Sequence, residues 1–173
     1  MKTKLFVTTV AVVIAWGVKR HYAEARADDL LWILTPTARL VGVITGTTFA
    51  LQPGEGYFSH DRLFLIGKSC AGINFMLAAF GMLTFALLHR VGFGMSAVRV
   101  VGVSLLASYS AAVLVNALRI AIAMWLAAHP IATFGAADVH RIEGITVYFG
   151  GLVVLYELVQ RLDRRALLVG RSV

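Results

Sequence analysis

The chain has 173 residues, of which 59% are hydrophobic and only 14% are charged. This balance, with the apolar residues in long blocks, excludes an ordinary soluble globular domain and indicates an integral membrane protein. The formal net charge of +7 comes from basic residues scattered at segment ends. Because they form no patch interleaved with aromatic residues, they do not indicate nucleic-acid binding, and we interpret them as membrane-flanking charges that contact lipid headgroups.

The motif content excludes several kinds of site. A single cysteine rules out an intramolecular disulfide and every multi-cysteine metal site. The sequence contains no P-loop, no HExxH zinc motif and no GxSxG elbow. Nucleotide-binding, zinc-protease and serine-hydrolase functions therefore have no support. We expect neither a metal nor a cofactor.

The first apolar run, residues 5–18, predicts a helix with basic residues on both sides. It is shorter than the ~20 residues that a helix needs to cross a bilayer. The Ala-Glu-Ala sequence at 23–25 also fits a signal-peptide cleavage site, so a removed signal is an alternative. We favour a retained helix, because Trp16 suits an interfacial anchor and Lys19-Arg20 would be unusual so close to a cleavage site.

Residues 30–69 predict a segment on the outer face. Its apolar beginning is broken by Pro36 and interrupted by Arg39, which favours a helix at the membrane surface over residues 29–44. Two short β-type runs then surround the turn sequence Pro-Gly-Glu-Gly at 53–56. They predict a small hairpin outside the bilayer that leads to the cysteine.

Three core helices are predicted, over residues 73–88, 98–128 and 141–160. At ~1.5 Å per residue the second could exceed roughly 45 Å, more than one hydrocarbon core. That helix therefore either protrudes from the bilayer or breaks near Asn116. Together with the first helix, this pattern predicts a single-domain, all-α polytopic membrane protein of about four transmembrane helices.

The distribution of positive charge predicts the orientation. If residues 30–69 do not cross the bilayer, the positive-inside rule is satisfied by one group of cytoplasmic charges: Lys2, Lys4, Arg90, Arg99 and the basic C-terminal tail. This orientation brings Cys70, the end of the 98–128 helix and His140 to the same outer face.

Cys70 lies where a turn-rich segment meets an apolar helix. Unpaired N–H groups and the positive end of the helix dipole favour a thiolate at such a place, and Lys68 adds a nearby cation. The alternative is that Cys70 is a buried small hydrophobic residue, as free cysteines usually are.

Two further pairs of residues suggest a site. Asn116 and Arg119 are three apart and share a helix face, and an arginine within a membrane helix indicates function. The alternative is a snorkelling arginine beside a helix-packing asparagine. His140 and Gly144 are four apart, so Gly144 leaves space beside the imidazole, although a histidine there could be a simple interfacial residue.

Cysteine, arginine and histidine at the outer ends of three helices form a set suited to covalent catalysis. The Cys70 thiolate would attack a peptide carbonyl, and Arg119 would stabilise the oxyanion or hold a substrate carboxylate or carbonyl. His140 would take and return the proton for the leaving amine and the incoming nucleophile.

Three motifs carry a resemblance to a known family. Ser-Cys-Ala-Gly-Ile-Asn-Phe at 69–75, Asn-Ala-Leu-Arg-Ile at 116–120 and His-Arg-Ile-Glu-Gly at 140–144 occur in this order with hydrophobic helices between them. Together they resemble the exosortase/archaeosortase family of multi-pass membrane cysteine transpeptidases. The short chain and the sequence Pro-Gly-Glu-Gly-Tyr-Phe-Ser-His at 53–60 look most like the small exosortase K branch.

The resemblance implies cleavage of a protein substrate at a C-terminal sorting signal of the PEP-CTERM type, which has a short motif, a transmembrane helix and a basic tail. The cleaved protein would pass to an envelope or exopolysaccharide acceptor. The resemblance also implies a bacterial inner-membrane protein with its active site at the periplasmic face. Its site residues would be catalytic Cys70, Arg119 and His140, supported by Asn116, Gly72 and Gly144.

Two other functions remain open at this point. The chain could be a non-enzymatic membrane scaffold or transporter subunit in which Cys70 is incidental. It could also be a plain protease that releases its product to water, which would use the same site and differ only in the acceptor.

Overall fold

The computed structural model describes residues 2–91, 95–129 and 136–169, and the side chains of residues 136–140 and 163–169 lie outside the described part. The described chain is mostly helical, with a small three-stranded sheet. The helices are α1 (Lys2–Glu24), α2 (Leu31–Thr45), α3 (Ile73–Leu87), α4 (Ala97–Ala128) and α5 (Ala136–Val169). The strands are β1 (Ala50–Gln52), β2 (Gly56–Ser59) and β3 (Phe64–Ile66).

Three stretches of the described chain are long and apolar enough to cross a membrane. They are Lys68–Arg90, Ala97–Ala128 and Arg141–Leu162, with mean hydropathies of 1.9, 1.9 and 1.6. The first includes α3, the second is α4 and the third lies within α5. These three helices indicate a multi-pass membrane protein. Helix α1 is not among the three.

Helix α4 runs without a break from Ala97 to Ala128, through Asn116. Its N-terminus is capped by Ser96, whose hydroxyl accepts a hydrogen bond from the Arg99 N–H at 3.3 Å. Its 32 residues extend over roughly 48 Å, whereas the hydrocarbon core is ~30 Å thick. Of the two sequence-based alternatives, the structure therefore has the continuous helix rather than the one broken near Asn116.

Helix α2 continues through Pro36, which the sequence predicted to break the apolar run. A proline lacks the N–H that would bond to the carbonyl four residues earlier, so the carbonyl of Trp32 loses its helical donor. The Tyr109 hydroxyl of α4 donates a hydrogen bond to that carbonyl at 2.8 Å, and the two aromatic rings stack with centroids 5.9 Å apart. A tertiary contact thus satisfies the group that the proline leaves unpaired.

The outer segment contains a three-stranded antiparallel sheet with the order β1-β2-β3. The sequence predicted only a hairpin, and β3 adds a third strand beside β2, with Tyr57 opposite Ile66. The β1–β2 turn is fixed from outside the sheet, because the Asp28 carboxylate accepts the Gly54 N–H at 2.9 Å. Gly56 has a φ of 119°, and a Cβ there would lie 2.4 Å from the Ile66 carbonyl oxygen, so only glycine fits.

Helix α4 is the central element of the bundle and contacts α1, α2, α3 and α5. Helices α2, α3 and α4 surround the main core, which also contains the buried Ala25 and Ala27 from the α1–α2 connection. Helix α1 extends beyond the predicted residues 5–18, and it packs along α3. Helix α5 begins before the predicted residue 141 and packs on α3 and α4.

Candidate functional site

Cys70 lies in a short turn that joins the sheet to α3. We call residues 68–72 the cysteine turn. Its first part is a single 3-10 turn, Lys68–Cys70, in which the Cys70 N–H donates to the Gly67 carbonyl at 2.9 Å. Helix α3 begins at Ile73, as the sequence predicted, so Cys70 lies in the turn just before the helix. The half-buried Cys70 Sγ lies 4.0 Å from the Leu65 carbonyl oxygen and 3.9 Å from the Ser69 hydroxyl.

Gly72 ends the cysteine turn and starts α3. Its φ of 68° is in the left-handed region, where residues with a Cβ are strained. A Cβ at this position would also lie 3.0 Å from Cγ and 3.1 Å from Cβ of Asn116. Gly72 therefore has two separate reasons to be glycine, its backbone conformation and its close contact with α4.

Asn116 joins the cysteine turn to α5. The residue is completely buried, at 0% exposure. Its Nδ2 donates a hydrogen bond to the Cys70 carbonyl oxygen, and its Oδ1 accepts one from the Tyr148 hydroxyl at 2.8 Å. One amide group on α4 thus connects the cysteine turn to α5 in a setting where an unpaired polar group would be costly.

Arg119 lies one turn further along α4 and faces α5. Its Cζ is 5.2 Å from the centroid of the Tyr148 ring, a cation–π distance. Gly144 of α5 lies beside the guanidinium, and a Cβ there would be 3.5 Å from Arg119 Nη1, an ordinary van der Waals distance. The Nε of Arg119 is buried and has no hydrogen-bond partner among the residues that the structure describes.

Lys68 turns towards α1. Its ammonium donates a hydrogen bond to the Ala23 carbonyl at 3.1 Å and lies 5.3 Å from the centroid of the Tyr22 ring. The Tyr22 hydroxyl in return donates to the Lys68 carbonyl at 3.4 Å. The cation that the sequence assigned to the thiol therefore makes its contacts with the end of α1.

The structure brings five of the six predicted residues into one connected cluster. Cys70 and Gly72 contact Asn116, and Gly144 borders Arg119. His140 is the sixth, and its side chain lies outside the described residues.

Tyr148 is a site residue that the sequence analysis missed. It contacts both Asn116 and Arg119, and its ring packs on Phe75 with centroids 5.3 Å apart. Its position contains a signal, because it follows Gly144 by four residues and a helix places such residues on one face. Following the helix face of His140 and Gly144 for one more turn would have identified Tyr148.

A groove of about 670 Å³ lies between the end of α2, the β2–β3 turn and the last turns of α4. Its lining is mainly apolar and includes Thr45, Arg62 and Trp125. None of the five predicted residues with described side chains lines it. Within the described ranges, no three His, Cys, Asp or Glu side chains are grouped as a metal site would require.

The candidate site is thus a set of buried polar contacts at one end of a helical bundle, next to a half-buried thiol. No family profile, curated protein or solved structure matches this chain.

Proposed function

We propose that the protein is a membrane cysteine transpeptidase or protease of the exosortase type. It would cleave the C-terminal sorting signal of exported or envelope proteins through a thioacyl intermediate. The observation that carries this proposal is the continuous set of contacts from the cysteine turn through Asn116 and Tyr148 to Arg119. These contacts connect the turn that carries the thiol to the guanidinium of α4, and covalent acyl transfer can use both groups.

Our proposal includes α1 as a fourth span. The Lys19 ammonium donates to Asn74 Oδ1 at 2.7 Å near the start of α3. At the other end, Lys4 lines a cavity together with Leu88 and His89, beyond the end of α3. Helix α1 therefore runs antiparallel to α3, and its 23 residues extend over roughly 34 Å, close to the ~30 Å of the hydrocarbon core.

In the proposed orientation, α2 and the sheet lie on the periplasmic face of a bacterial inner membrane. Helix α2 follows the end of α1, and its last residues share a groove with the last turns of α4. The 15 residues of α2 extend over only roughly 22 Å, less than the ~30 Å of the hydrocarbon core, so α2 does not cross in the proposed arrangement. The basic residues Lys2, Lys4, Arg90 and Arg99 then face the cytoplasm, as the positive-inside rule favours.

The proposed reaction begins when the Cys70 thiolate attacks the carbonyl carbon of the scissile peptide bond. Arg119 would stabilise the oxyanion, and its buried Nε–H is a donor without an acceptor in the described chain. A buried donor left unpaired costs ~1–3 kcal/mol, so a substrate oxygen that accepts a hydrogen bond from Nε would be stabilised there.

Collapse of the tetrahedral intermediate breaks the C–N bond and leaves a thioester on Cys70. The departing amine takes a proton, which we assign to His140 on the basis of the sequence motif. Water or an acceptor nucleophile then attacks the thioester carbonyl and loses its proton to the same base, and the C–S bond breaks to release the Cys70 thiolate. A free acid at the new C-terminus would indicate hydrolysis, and an adduct there would indicate transfer.

The test is co-expression with a membrane protein that carries a C-terminal sorting helix and basic tail. Wild type should shorten this substrate, whereas Cys70→Ala and Arg119→Ala should leave it at full length. Arg99→Ala is the matched control for Arg119→Ala, because it changes an exposed arginine at the other end of α4. Cleavage by Cys70→Ala at the wild-type rate would refute the proposal and favour an incidental cysteine.

The proposed orientation has a separate test. Because Cys70 is the only cysteine, a membrane-impermeant thiol reagent labels one defined position. Labelling of intact spheroplasts at the rate seen in opened membranes is expected. Labelling that requires opened membranes would place the cysteine turn on the cytoplasmic side and contradict the orientation.

A further inference from the structure

Tyr148 uses its hydroxyl group and its aromatic ring for separate contacts. Its hydroxyl donates to Asn116 Oδ1 at 2.8 Å, and the same amide donates through Nδ2 to the Cys70 carbonyl. The centroid of its ring is 5.2 Å from the Arg119 guanidinium and 5.3 Å from the centroid of the Phe75 ring. A single residue of α5 therefore contacts the cysteine turn through Asn116 and the arginine directly.

The direction of each hydrogen bond follows from chemistry. The Cys70 carbonyl can only accept, so Asn116 must present its amide nitrogen to it. The amide oxygen then points towards α5, where it needs a donor. The Tyr148 hydroxyl supplies that donor and thereby selects one of the two orientations of the asparagine amide.

The ring has a separate role for Arg119. A guanidinium in an apolar setting is attracted to the face of an aromatic ring, and here Phe75 supports that ring from α3. Gly144, one turn earlier on α5, also lies beside the guanidinium. Helix α5 thus contacts the positive charge of Arg119 and also fixes the orientation of the Asn116 amide.

We propose that Tyr148 is a positioning residue that fixes the cysteine turn and Arg119 in their positions relative to each other. Its significance for catalysis rests on the proposed function, in which the thiol and the guanidinium act on one peptide carbonyl. Tyr148 acts through Asn116 on the cysteine turn and through its ring on Arg119.

Tyr148→Phe separates the two contacts, because it keeps the ring and removes only the hydroxyl. The first readout is the rate at which Cys70 is alkylated by iodoacetamide in membranes containing the full chain. Loss of one hydrogen bond within a membrane bundle corresponds to a change of about three- to twentyfold. We expect alkylation to become faster by that factor. Without the Tyr148 hydroxyl, the orientation of the Asn116 amide is no longer fixed, and the amide holds the Cys70 carbonyl less firmly.

Tyr109→Phe is the matched control. Its hydroxyl also makes a 2.8 Å hydrogen bond to a second helix, but the acceptor is the Trp32 carbonyl of α2. Removing that bond should leave the alkylation rate of Cys70 within twofold of wild type. An equal increase in both variants would show a general loosening of the bundle and would overturn the proposal.

A double-mutant cycle tests whether Tyr148 acts through Asn116. In an Asn116→Ala background, Tyr148→Phe should give no further change in alkylation, because the connecting amide is already absent. Full additivity of the two substitutions would overturn the proposal. If Asn116→Ala does not accumulate in membranes, the comparison of Tyr148→Phe with Tyr109→Phe decides the question alone.

The second readout is the rate at which variants at Tyr148 shorten the co-expressed substrate. Tyr148→Phe should slow substrate shortening, and Tyr148→Leu should slow it further because Arg119 also loses its ring. Equal processing by wild type and both variants would overturn the catalytic part of the proposal. If no substrate is cleaved by wild type, the proposed function fails, whereas the alkylation cycle still decides whether Tyr148 positions the cysteine turn.

Discussion

Gly72→Ala is the substitution whose effect follows most directly from the geometry of the site. Gly72 and Gly46 have nearly the same left-handed φ, 68° and 66°. A Cβ at Gly46 meets no atom within 4 Å, whereas one at Gly72 lies 3.0–3.2 Å from three atoms of Asn116. The two alanine variants therefore share the backbone strain and differ in the contact with Asn116.

The expected losses of stability follow from the backbone strain and the contact with Asn116. Alanine in a left-handed conformation costs roughly 1–2 kcal/mol, and Gly46→Ala should lose that much stability. Gly72→Ala should lose the same amount plus about 1–3 kcal/mol, because Asn116 must move from a packed position. Gly81→Ala, on an exposed and open part of α3, should be neutral or stabilising by up to about 1 kcal/mol.

The assay is equilibrium unfolding of the purified chain in mixed micelles with increasing SDS, together with the alkylation rate of Cys70. Gly72→Ala should be the least stable of the three variants and the only one that changes the alkylation rate. Equal destabilisation by Gly46→Ala and Gly72→Ala, with unchanged alkylation in both, would refute the contact between Gly72 and Asn116.

Two further substitutions test the bundle and the sheet. Gly151→Ala should destabilise the protein by about 1–3 kcal/mol, because its Cβ would lie 2.8 and 2.9 Å from the two methyl groups of Val115. Adding Val115→Ala should restore most of this lost stability in the same SDS titration. Asp28→Ala should destabilise the β1–β2 turn by about 1 kcal/mol, because the Gly54 N–H loses its carboxylate acceptor. Faster proteolysis within the turn would show this effect.

The helical bundle was predictable because its signal is local. Long apolar blocks mark α3, α4 and α5 regardless of what they pack against, and the structure has three such helices. The helix at 29–44 was also predictable from composition, and α2 occupies nearly the same residues. The sequence could not show how that helix continues through Pro36, because the Tyr109 hydroxyl replaces the missing donor from a position far along the chain.

The candidate site was predictable in its residues and only partly in its contacts. The motif spacing identified Cys70, Asn116 and Arg119, which the structure connects. Tyr148 was missed because a tyrosine in an apolar helix resembles an interfacial residue until its partners are known. The contact of Lys68 with α1 could not be read from the sequence, because it depends on how the end of α1 packs against the turn.

The central claim is that Cys70 is the nucleophile, and a trapped intermediate tests it most directly. The measurement is the mass of the Cys70 peptide isolated from membranes that contain both this protein and a candidate substrate. The account predicts a substrate fragment attached to Cys70 as a thioester that hydroxylamine releases. A substrate that is shortened while Cys70 stays a free thiol, and that Cys70→Ala still shortens, would contradict it.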